Sequence, residues 1–138
     1  MIAYLDSSVL LRVALNQKNS LKEFSQITLG ISSRILKVEC LRTLDRLHAM
    51  DRIRDDDLLA LTEFIYDALA RIELIPLVDA ILDQASQPTG LRLGSLDAIH
   101  LFSATSWRSR QNQVITFLTH DSELGRAALL SGFSVFGL

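Results

Sequence analysis

The chain has 138 residues, 49% of them hydrophobic, with formal net charge −2 and a single cysteine. One domain spanning residues 1–138 with a sizeable core is the expectation, and a disordered chain is excluded by composition. The lone Cys40 rules out an internal disulfide, and the start of the chain lacks the pattern of a signal peptide, so a cytoplasmic protein is expected. There is also no run of 18 apolar residues, so no membrane association is expected.

Charge is unevenly spread. Residues 55–97 hold nine acids and two bases, a local −7, which leaves +5 for the remainder. Residues 34–54 carry six bases against three acids. That pattern fits a basic surface beside an acidic site. It fits equally well the solvated faces of two helices.

The elements alternate. Ile2–Leu5 reads as a buried strand, followed by a helix over 7–15 with Asp6 or Ser7 as its cap. Residues 18–26 suggest a short helix and 29–31 a short strand. A helix over 34–50 carries Leu36, Cys40, Leu44 and Leu47 on one stripe, so Cys40 reads as core. The helix over 55–70 opens on Asp55, Asp56 and Asp57, which suit the positive end of its dipole. A strand over 72–75 closes at Pro76, and a helix over 78–86 follows. The loop Pro88-Thr89-Gly90 leads to a helix over 95–107 and a strand over 114–118. A helix over 122–131 ends at Gly132, and 134–136 is a last strand. Strands alternating with helices predict an α/β fold: a mostly parallel central sheet flanked by helices on both faces. Ligands of such sheets bind beyond the carboxyl ends of the strands.

Four acids stand out against that frame. Asp6 ends the first strand and Asp121 follows the strand 114–118; each also fits as the cap of the next helix. Asp97 opens the apolar stretch Leu96–Phe102, with Ser95 as the expected cap, and a buried carboxylate there needs a cation, a metal or donors. Glu39 lies beside the apolar stripe of its helix, where an ordinary ion pair with Arg42 is the simpler role. Four acids gathered in one cavity would repel one another, and such clusters serve to hold hard divalent cations. Arg42 and Arg46 share Glu39's side of the helix and could reach phosphate; His100 reads as a hydrogen-bonded core histidine. No phosphate-cradling glycine loop and no Ser/His/Asp or Cys/His arrangement is present.

The set Tyr4-Leu5-Asp6-Ser7-Ser8, Glu39, Leu96-Asp97-Ala98-Ile99-His100-Leu101 and Thr119-His120-Asp121, with Leu124 and Ala127-Ala128, resembles PIN-domain ribonucleases. The nearest subgroup in pattern is the VapC-like toxins of prokaryotic type II toxin–antitoxin pairs. The resemblance implies a Mg²⁺- or Mn²⁺-dependent endoribonuclease acting on RNA, commonly a homodimer, blocked by a small antitoxin protein. Carried over by motif position, Asp6, Glu39, Asp97 and Asp121 form the acidic quartet, with Ser8 and Thr119 as hydroxyl partners. Asp6 and Asp97 are the expected direct metal ligands; Asp121 and Glu39 would serve a second ion or its waters. His120 is less typical beside the last acid, and Leu15–Gly30 is too generic to align. An RNA-processing nuclease that is not a toxin, and a non-catalytic interaction module, remain as alternatives. A receiver-type phosphotransfer fold needs a late lysine, and the last lysine here is Lys37.

Overall fold

The structure is a computed structural model that describes residues 1–138. It opens with β1 (Ile2–Leu5), in which Ala3, Tyr4 and Leu5 are almost wholly inaccessible. Burial on both faces is what a central parallel strand requires. α1 (Ser7–Ala14) follows at once, capped by the Asp6 side chain, which accepts from the Val9 N–H. The short helix expected over 18–26 is a 3-10 turn at Lys22–Gln26. Asn16 and Asn19 take positive φ of 49° and 71°, and such left-handed positions interrupt a helical run.

β2 (Leu29–Ser33) is two residues longer than the pattern predicted. Ser32 and Ser33 are polar, yet they pair with Leu74 and Ile75 of β3 (Ile72–Ile75), and the Ser32 hydroxyl donates to the Leu5 carbonyl. Pairing and a satisfied hydroxyl override the low strand propensity of serine. α2 (Ile35–Ala49) and α3 (Asp55–Leu69) form an antiparallel pair, and α4 (Asp79–Ala85) follows β3. α5 (Ser95–Gln111) runs four residues past its expected end and stops at Asn112, whose left-handed φ of 50° terminates it. Gly94, rather than Ser95, holds its capping position, without a side-chain bond. β4 (Thr116–Leu118) is shorter than expected because Val114 is 89% exposed and unpaired. α6 (Ser122–Leu130) and β5 (Ser134–Phe136) complete the chain.

All strand pairs are parallel, in the order β3-β2-β1-β4-β5. β1 alternates its side chains between two cores. Ala3 and Leu5 join Val9, Leu36, Cys40, Leu44, Ile65 and Leu69 under α1, α2 and α3. Tyr4 joins Ile81, Leu101, Trp107, Phe117, Leu124 and Phe133 under α4, α5 and α6. The sheet is therefore covered on both faces. The chain winds outward from β1 to β3, then returns to β4 on the other side of β1. The reversal lies between β1 and β4, and in open parallel sheets that crevice is where ligands bind.

Candidate active site at the strand reversal

Asp6 leaves the carboxyl end of β1, and Thr119, His120 and Asp121 leave the carboxyl end of β4 beside it. The register Leu5↔Leu118 sets the two segments side by side. Asp6 is 4% exposed and fully engaged by hydroxyls. Its Oδ1 accepts from Ser8 Oγ at 2.6 Å, and its Oδ2 accepts from Thr119 Oγ1 at 2.7 Å. Ser8 Oγ in turn accepts the His120 N–H at 2.9 Å. Thr119 Oγ1 accepts the Asp121 N–H at 2.9 Å. Both hydroxyls expected to attend the acids thus bridge the two strand ends. No lysine or arginine pairs with Asp6; the ion pairs of the molecule are Arg42–Asp45, His48–Asp55 and His100–Glu39. Burial pushes its carboxyl above the ordinary range, and the bonds from Ser8 and Thr119 offset that only in part.

Asp121 caps α6, its Oδ1 accepting the N–H groups of Glu123 and Leu124. Capping and site membership therefore coexist in one residue, since one oxygen remains for another partner. Asp97 lies in the first turn of α5 and is half-buried rather than buried, because Leu96 beside it is 46% exposed. Burial raises its carboxyl above the ordinary range, the Asp121 charge raises it further, and Asp6 adds to the same effect. The N–H of Gly94 and the nearby His100 relieve it partly. Asp6, Asp97 and Asp121 thus share one field, and none of them forms an ion pair.

Glu39 behaves differently from the simple expectation. Arg42 does not pair with it; the Arg42 guanidinium reaches Asp45, three residues on. Arg42 is then a partner of Asp45, not a free phosphate contact. Glu39 instead turns inward, 14% exposed, and its Oε2 lies 2.6 Å from His100 Nε2. The other ring nitrogen, Nδ1, lies 2.8 Å from the Tyr4 hydroxyl. That hydroxyl also accepts the Ser33 N–H at 3.0 Å. Because the Glu39 carboxylate can only accept, His100 donates to it from Nε2, and its Nδ1 shares the second bond with the Tyr4 hydroxyl. Burial holds the Tyr4 phenol well above its usual range, so the donor persists. Cys40, one residue past Glu39, is core as expected, its thiol pushed up to about 12 by burial and by the charges of Glu39 and Asp6.

Sequence reasoning placed His100 in the core but missed its link to Glu39. A histidine one helical turn after Asp97 was the available signal; the tyrosine two residues before Asp6 became meaningful only through the fold. His120 donates from Nδ1 to the Gly137 carbonyl at 3.0 Å, which leaves its buried Nε2 unpartnered. Gly137 sits at φ +110°, and a Cβ there would collide with the Thr119 carbonyl, so only glycine lets β5 close over the β4 end.

The donors at the reversal are carboxylates and hydroxyls, the set that hard divalent cations prefer. No three His, Cys, Asp or Glu side chains close into a shell that could hold a metal ion. Widely set carboxylates suit an ion such as Mg²⁺, which keeps several of its waters and takes one or two direct carboxylates. Asp6 and Asp97, both unneutralised and both raised, fit that role.

A parallel, doubly wound sheet with unneutralised acids at its reversal has the architecture of a nuclease-type domain. Residues 3–130 match the PIN domain, and the chain belongs to that family. The crystal structure of PAE2754 from Pyrobaculum aerophilum is similar over 99% of this chain and 84% of its own, with TM-score 0.65 and 18% identity. At that identity the likeness carries the fold. No curated protein sequence matches the chain.

Proposed function

We propose that this protein is a Mg²⁺- or Mn²⁺-dependent endoribonuclease that hydrolyses RNA phosphodiester bonds. The observation that carries the reading is the trio Asp6, Asp97 and Asp121. Two of them have carboxyls raised by burial, Asp97 also by its acidic neighbours, and none has a basic partner. Perturbed acids brought together at the strand reversal make that reversal a functional-site candidate. Asp6 and Asp97 would hold the ion directly, with Asp121 and Glu39 supporting it or its waters. Bound there, a divalent ion supplies positive charge to a phosphodiester and a nucleophilic water at neutral pH.

The protein's own groups prepare that chemistry. Ser8 and Thr119 fix both oxygens of Asp6 in one orientation. The Asp121 N–H and the α6 cap fix Asp121 against the same threonine. Tyr4 and His100 hold Glu39 at the rim. A site whose polar groups are positioned in advance loses little to reorganisation during reaction.

The biological setting that best suits the pattern is the toxin of a VapC-like toxin–antitoxin pair: cytoplasmic, homodimeric and restrained by a small antitoxin protein. The support is the run of motifs quoted above within one short chain. No helix is long and apolar enough to cross a membrane. An RNA-processing role for the same nuclease is the second reading, and the same motifs allow it.

The test is cleavage of single-stranded RNA by purified protein. Cleavage is expected with Mg²⁺ or Mn²⁺ and should stop in EDTA; Asp6→Asn and Asp97→Asn should abolish it. Wild-type rates in both variants would overturn the assignment. Growth arrest on expression, relieved by Asp6→Asn, would favour the toxin; normal growth with an active enzyme would favour RNA processing.

A further inference from the structure

A second feature lies on the elements that carry Asp97 and Asp121. The loop leading to α5 and the outer face of α6 enclose a cavity of about 270 Å³ between Gly90, Leu91, Arg92, Glu123, Arg126 and Ala127, with Leu130 at its end. Two guanidiniums line it. Neither Arg92 nor Arg126 belongs to any of the three ion pairs of the molecule, and Glu123, although it lines the same cavity, pairs with neither. Both arginines are exposed. By contrast, Arg42 is engaged by Asp45 and Arg108 by the carbonyls of Ser131 and Gly132.

The cavity is built from the loop that leads to α5, which carries Asp97, and from α6, which Asp121 caps. Arg92 lies five residues before Asp97, on the loop that ends at Gly94, the capping position of α5. Arg126 lies five residues after Asp121, the cap of α6, a rise of about 7.5 Å along the helix. Asp6, Asp97 and Asp121 do not line the cavity, which adjoins them only through the two elements it shares with Asp97 and Asp121. Its wall is mixed: two cations, one acid and the aliphatic surfaces of Leu91, Ala127 and Leu130.

A polyanion laid across the site meets an electrostatic difficulty. Three unneutralised carboxylates repel every phosphate near them, and an ion held there relieves only the phosphate it touches. Fixed cations are needed for the neighbouring phosphates, and free guanidiniums grip phosphate oxygens in a forked, two-bond geometry. The cavity is smaller than the roughly 300–1,000 Å³ clefts that take drug-sized ligands, so it suits one phosphate-bearing unit. The aliphatic wall offers a surface for the sugar or base attached to it.

We propose that Arg92 and Arg126 form a subsite for the backbone phosphate of a nucleotide flanking the scissile bond. The proposal rests on the ribonuclease reading above and specifies how its substrate is held. Phosphate contacts of this kind set register on the strand without reading sequence.

The experiment compares wild type with Arg92→Gln, Arg126→Gln, the double variant and Arg110→Gln, an exposed arginine at the far end of α5. Binding of labelled single-stranded RNA oligonucleotides of several sequences is measured against salt, alongside single-turnover cleavage at saturating RNA in Mg²⁺. Each subsite variant should weaken binding about tenfold, equally for all sequences, and should lower the slope of log affinity against log salt by about 0.7. The saturated cleavage rate should stay within about twofold of wild type, and Arg110→Gln should match wild type throughout. Affinity and slope unchanged in the double variant, with wild type binding and cleaving normally, would overturn the subsite and leave the nuclease standing. A loss of saturated rate without a loss of affinity would place the arginines at the reacting phosphate and overturn the flanking role. If the variants lose a co-expressed acidic protein partner while keeping RNA affinity and slope, the cavity is a protein contact and the proposal fails. Wild type that neither binds nor cleaves RNA would sink the ribonuclease reading itself, and the subsite with it.

Discussion

His100 and Glu39 are 61 residues apart in the chain, yet their side chains meet at 2.6 Å, and the contact hangs an acid at the mouth of the site from a phenol in the core. Because Tyr4 immediately precedes the Leu5-Asp6 strand end, β1 supports two acids at once. It carries Asp6 on its own end and reaches Glu39 through His100.

Removing the root of that chain should be costly. Tyr4→Phe leaves the Ser33 N–H and His100 Nδ1 without their partner in a buried setting. An unsatisfied buried group costs about 1–3 kcal/mol. Denaturant unfolding should show a loss in that range. Cleavage should also fall, because His100 would no longer be held against Glu39. Full stability and full activity in Tyr4→Phe would show that the relay is idle.

Thr119→Val tests the bridge between the strand ends. The swap nearly keeps volume and removes the hydroxyl that donates to Asp6 and accepts from the Asp121 N–H. We expect a loss of about 1–3 kcal/mol, since two buried partners are orphaned together. RNA cleavage should drop by roughly the 10–100-fold typical of groups that orient metal ligands. Thr119→Ser, which keeps the hydroxyl, should recover most of both. Equal behaviour of the valine and serine variants would remove the hydroxyl from the account.

The metal-free protein should lose stability as pH rises. Asp6 and Asp97 have folded-state values raised above the ordinary 3.8. A raised value means that the folded state binds protons more tightly than the unfolded chain. Their contribution is complete below the unfolded value and disappears as pH climbs through the raised folded values. Melting curves between pH 4 and 7 in EDTA should reveal that decline against other titrations by comparison with Asp97→Asn. The variant should be less pH-sensitive and more stable than wild type at neutral pH. Mg²⁺ or Mn²⁺ should raise the wild-type melting temperature, by about 2.7 kcal/mol of stability at a hundredfold excess over Kd. An identical metal response in Asp97→Asn would count against the site.

Two acids on α2 provide an internal comparison. Glu39 faces inward to His100, whereas Asp45 is 61% exposed and pairs with Arg42. Glu39→Gln should lower RNA cleavage severely. Asp45→Asn should be nearly silent in cleavage and should cost at most a few tenths of a kcal/mol, as exposed helical pairs do. Comparable losses in the two variants would mean that charge on α2, rather than the His100 contact, is what matters.

Much of this arrangement can be read from the chain because its local and global signals agree. Ile2–Leu5 is apolar throughout and lies in the middle of the sheet; Asp121 sits where a cap is wanted and is one. The misreadings have physical causes. Ser32 and Ser33 extend β2 because neighbouring strands and the Leu5 carbonyl satisfy them, which composition does not reveal. Pattern alone predicts a helix over 18–26, while Asn16 and Asn19 turn the backbone left-handed. Helical spacing points Glu39 to Arg42 because it exposes only local neighbours, and His100 is brought to Glu39 by the crossing of α5 over the sheet. The Arg92–Arg126 cavity was invisible for the same reason: its two halves come from segments 34 residues apart.

The order in which the strands are laid down also governs when the site can exist. Asp6 is made well before the hydroxyl that fixes its second oxygen, which lies 113 residues later. Until β4 slots in beside β1, the nascent chain holds Asp6 without Thr119 and without Asp121. Topology thus makes the fixing of Asp6 wait on the pairing of β4 with β1.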